Sequence, residues 1–314
     1  MNEQWALAIA DVPEAWAYEA TLAITATAPV TVAILSTGVV TDHPELAGRL
    51  LPGYDFVADD AVPEDTIGRG TALAGVVAAG TDNGLGIAGM ARSDDVRILP
   101  VRVTYTDTGA LVPDALANGI AYAADQGSQV ILIGGTLPSS DPAVDAALGA
   151  AAAQGALILA GTGDKGASTV GYPASSEHVM AVSSTTWDDE LASDANHGSG
   201  VAMAAPGGGS PGNPSGVLTL DVAGRYVTRS STAVAAAHVA GAAAMILTHA
   251  PAARPAMQLD ARRLRMLLQA PTQDLGAAGP DDYYGAGRLD VERSLWLATQ
   301  VEPQLYLATI ARNN

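Results

Sequence analysis

The run Ser231-Thr232-Ala233-Val234-Ala235-Ala236-Ala237-His238-Val239-Ala240-Gly241, continued by apolar residues to Leu247, constrains this chain more than any other stretch. Ser231 and Thr232 can cap a helix start. The Ala, Val and Gly side chains that follow are small enough to let neighbouring backbones approach closely. The run therefore predicts a buried central helix.

What packs around such a helix follows from composition. Hydrophobic residues make up 48% of the 314 residues with a single Phe and four Trp, so Ala, Val, Leu and Gly must fill the core. That mixture favours helices packed tightly on a sheet. Apolar runs at 30–35, 96–103, 130–133, 156–160 and 179–183 predict buried strands, and they alternate with helical patterns at 68–79, 112–124 and 143–154. The alternation predicts an α/β fold, a mainly parallel sheet with helices on both faces.

Smaller elements complete the expectation. Helical turns over Trp5–Tyr18 are interrupted at Asp11-Val12-Pro13, Gly53–Phe56 forms a short strand, and residues 58–67 form an acidic loop. Further on come a Gly/Pro/Ser loop at 207–215, a strand at 217–222, a loop at 251–255, and a helix at 261–269 with Arg262, Arg263 and Arg265 exposed. No repeat or composition shift marks a second domain, so residues 1–314 read as one.

Fifteen basic against thirty-three acidic residues give a net charge of −18. That sign argues against nucleic acid and anionic membrane surfaces as partners. The absence of cysteine excludes disulfides, thiolate nucleophiles and cysteine-ligated metals. Met1-Asn2-Glu3-Gln4 lacks the basic n-region of a signal peptide. With Met1 as the native start the expectation is a cytoplasmic protein. The longest apolar stretch, near Ala233–Leu247, is short for a membrane span and contains His238, so no membrane segment is expected.

The central run resembles the nucleophile helix of the subtilases, the subtilisin-like serine peptidases, whose pattern is Gly-Thr-Ser-Met-Ala-x-Pro-His-Val-Ala-Gly. Thr232, Ala235, His238, Val239, Ala240 and Gly241 match it, and Ala233 stands where the family has its nucleophilic serine. Val32-Ala33-Ile34-Leu35-Ser36-Thr37-Gly38-Val39 followed by His43-Pro44-Glu45-Leu46 resembles the segment that carries the catalytic Asp, with Ser36 in its place. Gly68-Arg69-Gly70-Thr71-Ala72-Leu73-Ala74-Gly75 resembles the segment of the general-base histidine, with Arg69 in its place. Leu159-Ala160-Gly161-Thr162 puts Thr162 where the oxyanion-hole asparagine stands, and Gly134-Gly135-Thr136 replaces the Ser-Leu-Gly strand that pairs with substrate.

The resemblance runs from about Gln4 to Leu297, leaving 298–314 as a C-terminal extension, and implies a subtilisin-like three-layer αβα domain. Residues 117–127 and 83–89 are similar to the thermitase-like branch. Members usually carry signal and pro-segments, which implies an extracellular location if Met1 is not the native start.

At the four aligned positions no proton acceptor or nucleophile of the family's kind remains. Arginine has five donors, no acceptor and a pKa above about 12, so Arg69 cannot take a proton. The expectation is a catalytically inactive pseudopeptidase kept for binding, scaffolding or regulation, its partner an unidentified protein or peptide laid along the old cleft. The alternative is a weak or altered serine hydrolase using Ser36 or Ser231, for which no base is evident. His238 lies more than a turn into the central helix, and His43, His178 and His197 fall in turns.

Two ligand readings remain. Gly161-Thr162-Gly163-Asp164-Lys165-Gly166 matches Gly-x-Gly-x-x-Gly, but Gly171 and Pro173 follow instead of a helix, so no nucleotide is expected. The resemblance implies calcium, held by Asp55, Asp60 and Glu64 in the acidic loop or by Glu45 and Asn83 with nearby carbonyls. Against it, the family's N-terminal acidic ligand has no counterpart and Ala58 replaces a loop carboxylate. An acidic solvated loop is the other reading.

Arg69 also places a fixed positive charge beside the start of the central helix, where free N–H groups favour anions. A carboxylate, a phosphate or an acidic segment of a partner is one expected occupant. The competing expectation is that Arg69 pairs with Asp42, Asp59 or Asp60 and plugs the cleft.

Overall fold

The computed structural model describes residues 4–22, 29–209, 216–253 and 259–300. Seven strands, β1 (Val30–Ser36), β2 (Tyr54–Asp55), β3 (Val96–Arg102), β4 (Val130–Ile133), β5 (Leu157–Gly161), β6 (Val179–Thr185) and β7 (Val201–Pro206), form one sheet in the order β2-β3-β1-β4-β5-β6-β7. Every neighbouring pair is parallel. A separate antiparallel hairpin joins β8 (Val217–Leu220) to β9 (Tyr226–Arg229).

Strand periodicity divides the interior into two cores. In β1, Val30, Val32 and Ile34 face one core while Ala33 and Leu35 face the other. A strand buried on both faces reads as an unbroken apolar run, which is why the alternation of inside and outside is hidden in the sequence. Helices α1 (Trp5–Ile9), α2 (Val12–Thr21), α3 (Arg69–Ala78), α6 (Thr232–Ala253), α7 (Ala261–Gln269) and α8 (Val291–Gln300) contribute to the first core. The second is closed by α4 (Pro113–Asp125) and α5 (Pro142–Ala153). The result is the three-layer αβα arrangement with a parallel sheet.

Helix α6 sits at the centre of the first core. A Cβ at Gly241 would lie 2.4 Å from Met90 Cβ, so this turn admits no side chain without displacing the neighbouring segment. The helix is long and apolar enough to cross a membrane by length and composition, but its neighbours bury nearly all of its surface. It continues past the expected end at Leu247, and Pro251–Ala253 is helical rather than looped. His249 Nε2 meets Glu19 Oε1 of α2 at 2.9 Å, a buried polar contact that fixes the extra turns.

Other expectations are adjusted. Strands β7 and β9 were not signalled by the sequence, the first being Ala-rich and the second largely exposed. In α7 only Arg262 is fully exposed, whereas Arg263 and Arg265 are half-buried. Of the loop at 207–215, residues 210–215 lie outside the described residues, as do 254–255 of the loop at 251–255 and 301–314 of the C-terminal extension.

Candidate functional site

Because β1 lies between β3 and β4, the chain leaves its C-terminal end where the strand order reverses. In open parallel sheets such a switch point forms the crevice that holds ligands. Ser36 ends β1 there, with α3 starting on one side and α6 on another.

The start of α3 is fixed by a buried carboxylate. Asp65 Oδ1 accepts the N–H groups of Ile67 at 3.0 Å and Gly68 at 2.7 Å, and its Oδ2 accepts the Thr71 N–H at 2.9 Å and the Thr71 hydroxyl at 2.8 Å. These bonds satisfy donors that the first helical turn cannot pair internally. Gly70 donates its N–H to Thr37 Oγ1 at 2.9 Å, and a Cβ there would lie 1.9 Å from the Gly38 carbonyl oxygen. Glycine is therefore required for α3 to approach the β1 turn.

This anchoring delivers Arg69 into the crevice. Its Nη1 donates to the Gly109 carbonyl oxygen at 2.7 Å, a bond that spans the cleft from α3 to the loop after β3. Burial pulls the guanidinium below its ordinary range, while Asp164 and Asp65 act in the opposite sense. Asp42, Asp59 and Asp60 do not hold it: Asp59 accepts the Tyr54 hydroxyl and Asp60 accepts the Val62 N–H.

The start of α6 is also committed. Asp164 Oδ1 accepts the Thr232 N–H at 2.7 Å, Ser231 Oγ accepts the Val234 N–H at 3.2 Å, and Thr232 Oγ1 accepts the Gly163 N–H at 3.0 Å. The expected free N–H groups are thus partly taken by the chain's own carboxylate and hydroxyl. Burial raises the Asp164 pKa, and its bond to the Thr232 N–H opposes that rise.

One cleft of about 200 Å3 brings Arg69, Gly134, Gly135, Thr136 and Ala233 together with Asp164. Ser36 and Thr162 stay outside it, both with no exposed surface and with hydroxyl oxygens that have no hydrogen-bond partner. Ser36 Oγ lies directly under Gly134, whose Cβ, were there one, would be 2.6 Å away. Gly135 and Thr136 make no backbone hydrogen bond among the described residues, whereas Gly134 N–H is tied to the Leu35 carbonyl.

The histidines take structural roles. His238 is buried beside the Val234 carbonyl at 3.1 Å, and burial pushes its pKa down to about 4. His43 Nδ1 accepts the Glu45 N–H at 3.2 Å. Among the described residues no imidazole is hydrogen-bonded to Ser36 or Ser231. Residues 162–178 contain no helix, so the glycine-rich turn at 161–166 lacks the helix N-terminus that holds a pyrophosphate.

The calcium candidates fall in two places. Asp55 is buried against Arg102, whose Nη1 lies 2.6 Å from Oδ2, and its Oδ1 accepts the N–H groups of Val57 and Ala58. Glu64 is exposed and does not join them. Glu45 Oε1 accepts the Tyr226 hydroxyl and the Ile87 N–H, and its Oε2 accepts the Asn83 amide N–H at 2.9 Å. Each of these carboxylates already accepts three N–H or O–H donors, and no cluster of three acidic or histidine side chains converges among the described residues. The residues as placed do not fit a calcium ion.

Sequence reasoning overlooked Asp164 at the cleft. Asp164 was visible only as a variable position in a glycine-rich turn, and its role as a cap depends on a contact 68 residues away.

Comparison with known proteins agrees with this architecture. The Peptidase S8 model, described as the subtilase family, matches residues 27–287. Thermitase of Thermoactinomyces vulgaris is 34% identical over 266 residues, covering 84% of this chain and 88% of the relative. Thermophilic serine proteinase of Bacillus sp. (strain AK1) is 38% identical over 215 residues, which span 68% of this chain and 51% of that protein. Subtilisin DY of Bacillus licheniformis is 32% identical over 269 residues, covering 84% and 90% of the two chains.

Proposed function

The chain belongs to the subtilase family, with thermitase-like relatives, and on that premise we propose that it has lost peptide hydrolysis and retains its cleft for binding. The observation that carries this reading is Arg69. A guanidinium tied to the Gly109 carbonyl stands where the resemblance assigns the general base, and it has no lone pair with which to accept a proton. The resemblance assigns Ser36 and Ala233 to the other two triad positions and Thr162 to that of the oxyanion donor, and the Thr162 hydroxyl is buried. A base, a nucleophile and an oxyanion donor act as a unit, so their joint loss leaves only residual catalysis.

Binding is favoured by what the cleft still offers. Among the described residues the backbone groups of Gly135 and Thr136 are unpaired along one wall, the arrangement that accepts an extended peptide by strand addition. Ser36 and Ser231 do not support a relocated nucleophile: the first is sealed under Gly134 and the second accepts an α6 N–H. Calcium has no part in this reading, given the internal pairing of Asp55 and Glu45.

Hydrolysis of labelled casein and labelling by a fluorophosphonate probe test the proposal, with an active subtilase as positive control. The expected result is no turnover and no labelling. Activity that disappears in Ser36→Ala or Ser231→Ala would replace this reading with that of an altered hydrolase.

A further inference from the structure

Beyond the cleft, Arg69 forms one wall of a second hollow of about 280 Å3 that opens towards the end of β9. Its floor is apolar, made by Ile67, Ala72, Leu73 and Val234. Its rim carries two guanidiniums, Arg69 and Arg229, with the hydroxyls of Ser230 and Ser231. We propose that this hollow binds a carboxylate on a short apolar stem, an inference that rests on the reading of the cleft as a binding site.

The balance of donors and acceptors points to that ligand. Ser230 Oγ accepts the Gly209 N–H at 3.0 Å and Ser231 Oγ accepts the Val234 N–H, so each hydroxyl keeps its own proton to donate. Arg69 uses one N–H on Gly109 and has others remaining. Arg229 has no ion pair or side-chain hydrogen bond among the described residues, on a chain where acidic residues outnumber basic ones by 33 to 15. Its Nη2 lies 3.2 Å from where a Gly68 Cβ would be, which places the guanidinium over the start of α3. Only Asp164 supplies an anionic acceptor to this hollow, and its Oδ1 is occupied by the Thr232 N–H.

Asp164 in the lining and the buried Asp65 behind Arg69 both temper the two guanidiniums, so the hollow accepts a single negative charge more readily than a phosphate dianion. The bidentate fork of arginine suits a carboxylate, and the apolar floor receives the few carbons behind it. Two sources supply this chemistry: a free short-chain carboxylic acid, or the terminal carboxylate of a peptide ending in a small residue.

Titration calorimetry on the full chain tests the proposal with sodium butyrate, an acetylated tripeptide ending in Ala as the free acid, its C-terminal amide, and inorganic phosphate. At least one of the two carboxylates is expected to bind at millimolar concentration, more tightly than phosphate, with the amide weaker than the acid by about tenfold or more. Arg229→Ala should weaken carboxylate binding about tenfold while leaving the unfolding midpoint unchanged, and Arg229→Lys should restore part of it. Butyrate binding without peptide binding identifies the free acid as the source, and binding of the peptide acid identifies a chain terminus.

The proposal is overturned if neither carboxylate binds, if the peptide binds and does so equally as acid and as amide, or if Arg229→Ala has no effect on affinity. Equal binding of acid and amide would leave the peptide-binding cleft standing without a carboxylate site. Casein hydrolysis would remove the pseudopeptidase reading and leave the calorimetric result to be judged alone.

Discussion

Asp164 caps helix α6 by accepting the Thr232 N–H at 2.7 Å, and the same carboxylate stands in the hollow that holds Arg69 and Arg229. Its two duties are separable. Asp164→Asn keeps an oxygen for the Thr232 N–H and removes the charge, so stability should stay within about 1 kcal/mol of the parent. The same change removes the anionic side chain that lines the hollow, so butyrate affinity should rise severalfold. Asp164→Ala removes the cap as well and should cost about 1 kcal/mol in urea unfolding.

Arg69 should not be convertible into a working base by itself. Arg69→His supplies a lone pair, but the residue at 233 is still Ala and the residue at 36 is a buried serine. No fluorophosphonate labelling is expected for that variant. Labelling should appear only when Ser36→Asp, Arg69→His and Ala233→Ser are combined, because orienter, base and nucleophile depend on one another. Labelling of the single variant would show that a nucleophile other than residue 233 is present.

Close approach at Gly70 makes a sharper structural prediction. A Cβ there would lie 1.9 Å from the Gly38 carbonyl oxygen, a backbone atom that cannot rotate away. Gly70→Ala must push α3 off the β1 turn and break the bond from the Gly70 N–H to Thr37 Oγ1. A loss of about 2 to 4 kcal/mol is expected in urea unfolding.

Strands β1, β4 and β5 were legible because burial on both faces leaves a plain β-branched or aliphatic run, and α6 was legible because only small residues fit where it lies. Strand β7 was not, since Val201-Ala-Met-Ala-Ala-Pro lacks that run and is held by its neighbour β6. The site divides in the same way. Residue identities at 36, 69 and 233 disclose what chemistry is missing, but the partner of Arg69 is a backbone carbonyl, which carries no side-chain signature. Arg229 joins the hollow through a hairpin whose exposed, polar second strand gives little periodicity to read.

The two buried histidines of α6 should shape opposite limbs of the pH–stability curve. His238 is held neutral, its pKa pushed by burial from 6.5 down to about 4, although the Val234 and Pro206 carbonyls oppose the shift. A base with a depressed folded pKa contributes stability that is complete above 6.5 and is lost as pH falls towards 4, because the unfolded chain takes up the proton first. The shift corresponds to about 3 kcal/mol over that interval. His249 behaves in the reverse sense. Burial pulls its pKa down, but the Glu19 carboxylate and the Met245 carbonyl outweigh burial and raise it above 6.5. Its contribution is complete below 6.5 and fades as pH rises through the raised folded value. Urea unfolding measured from pH 4 to 9 should therefore give a maximum near neutrality. His238→Gln should flatten the acid limb and leave the alkaline one, and His249→Gln should do the opposite. A parent curve whose acid limb survives His238→Gln would assign that limb to the carboxylates and not to the helix.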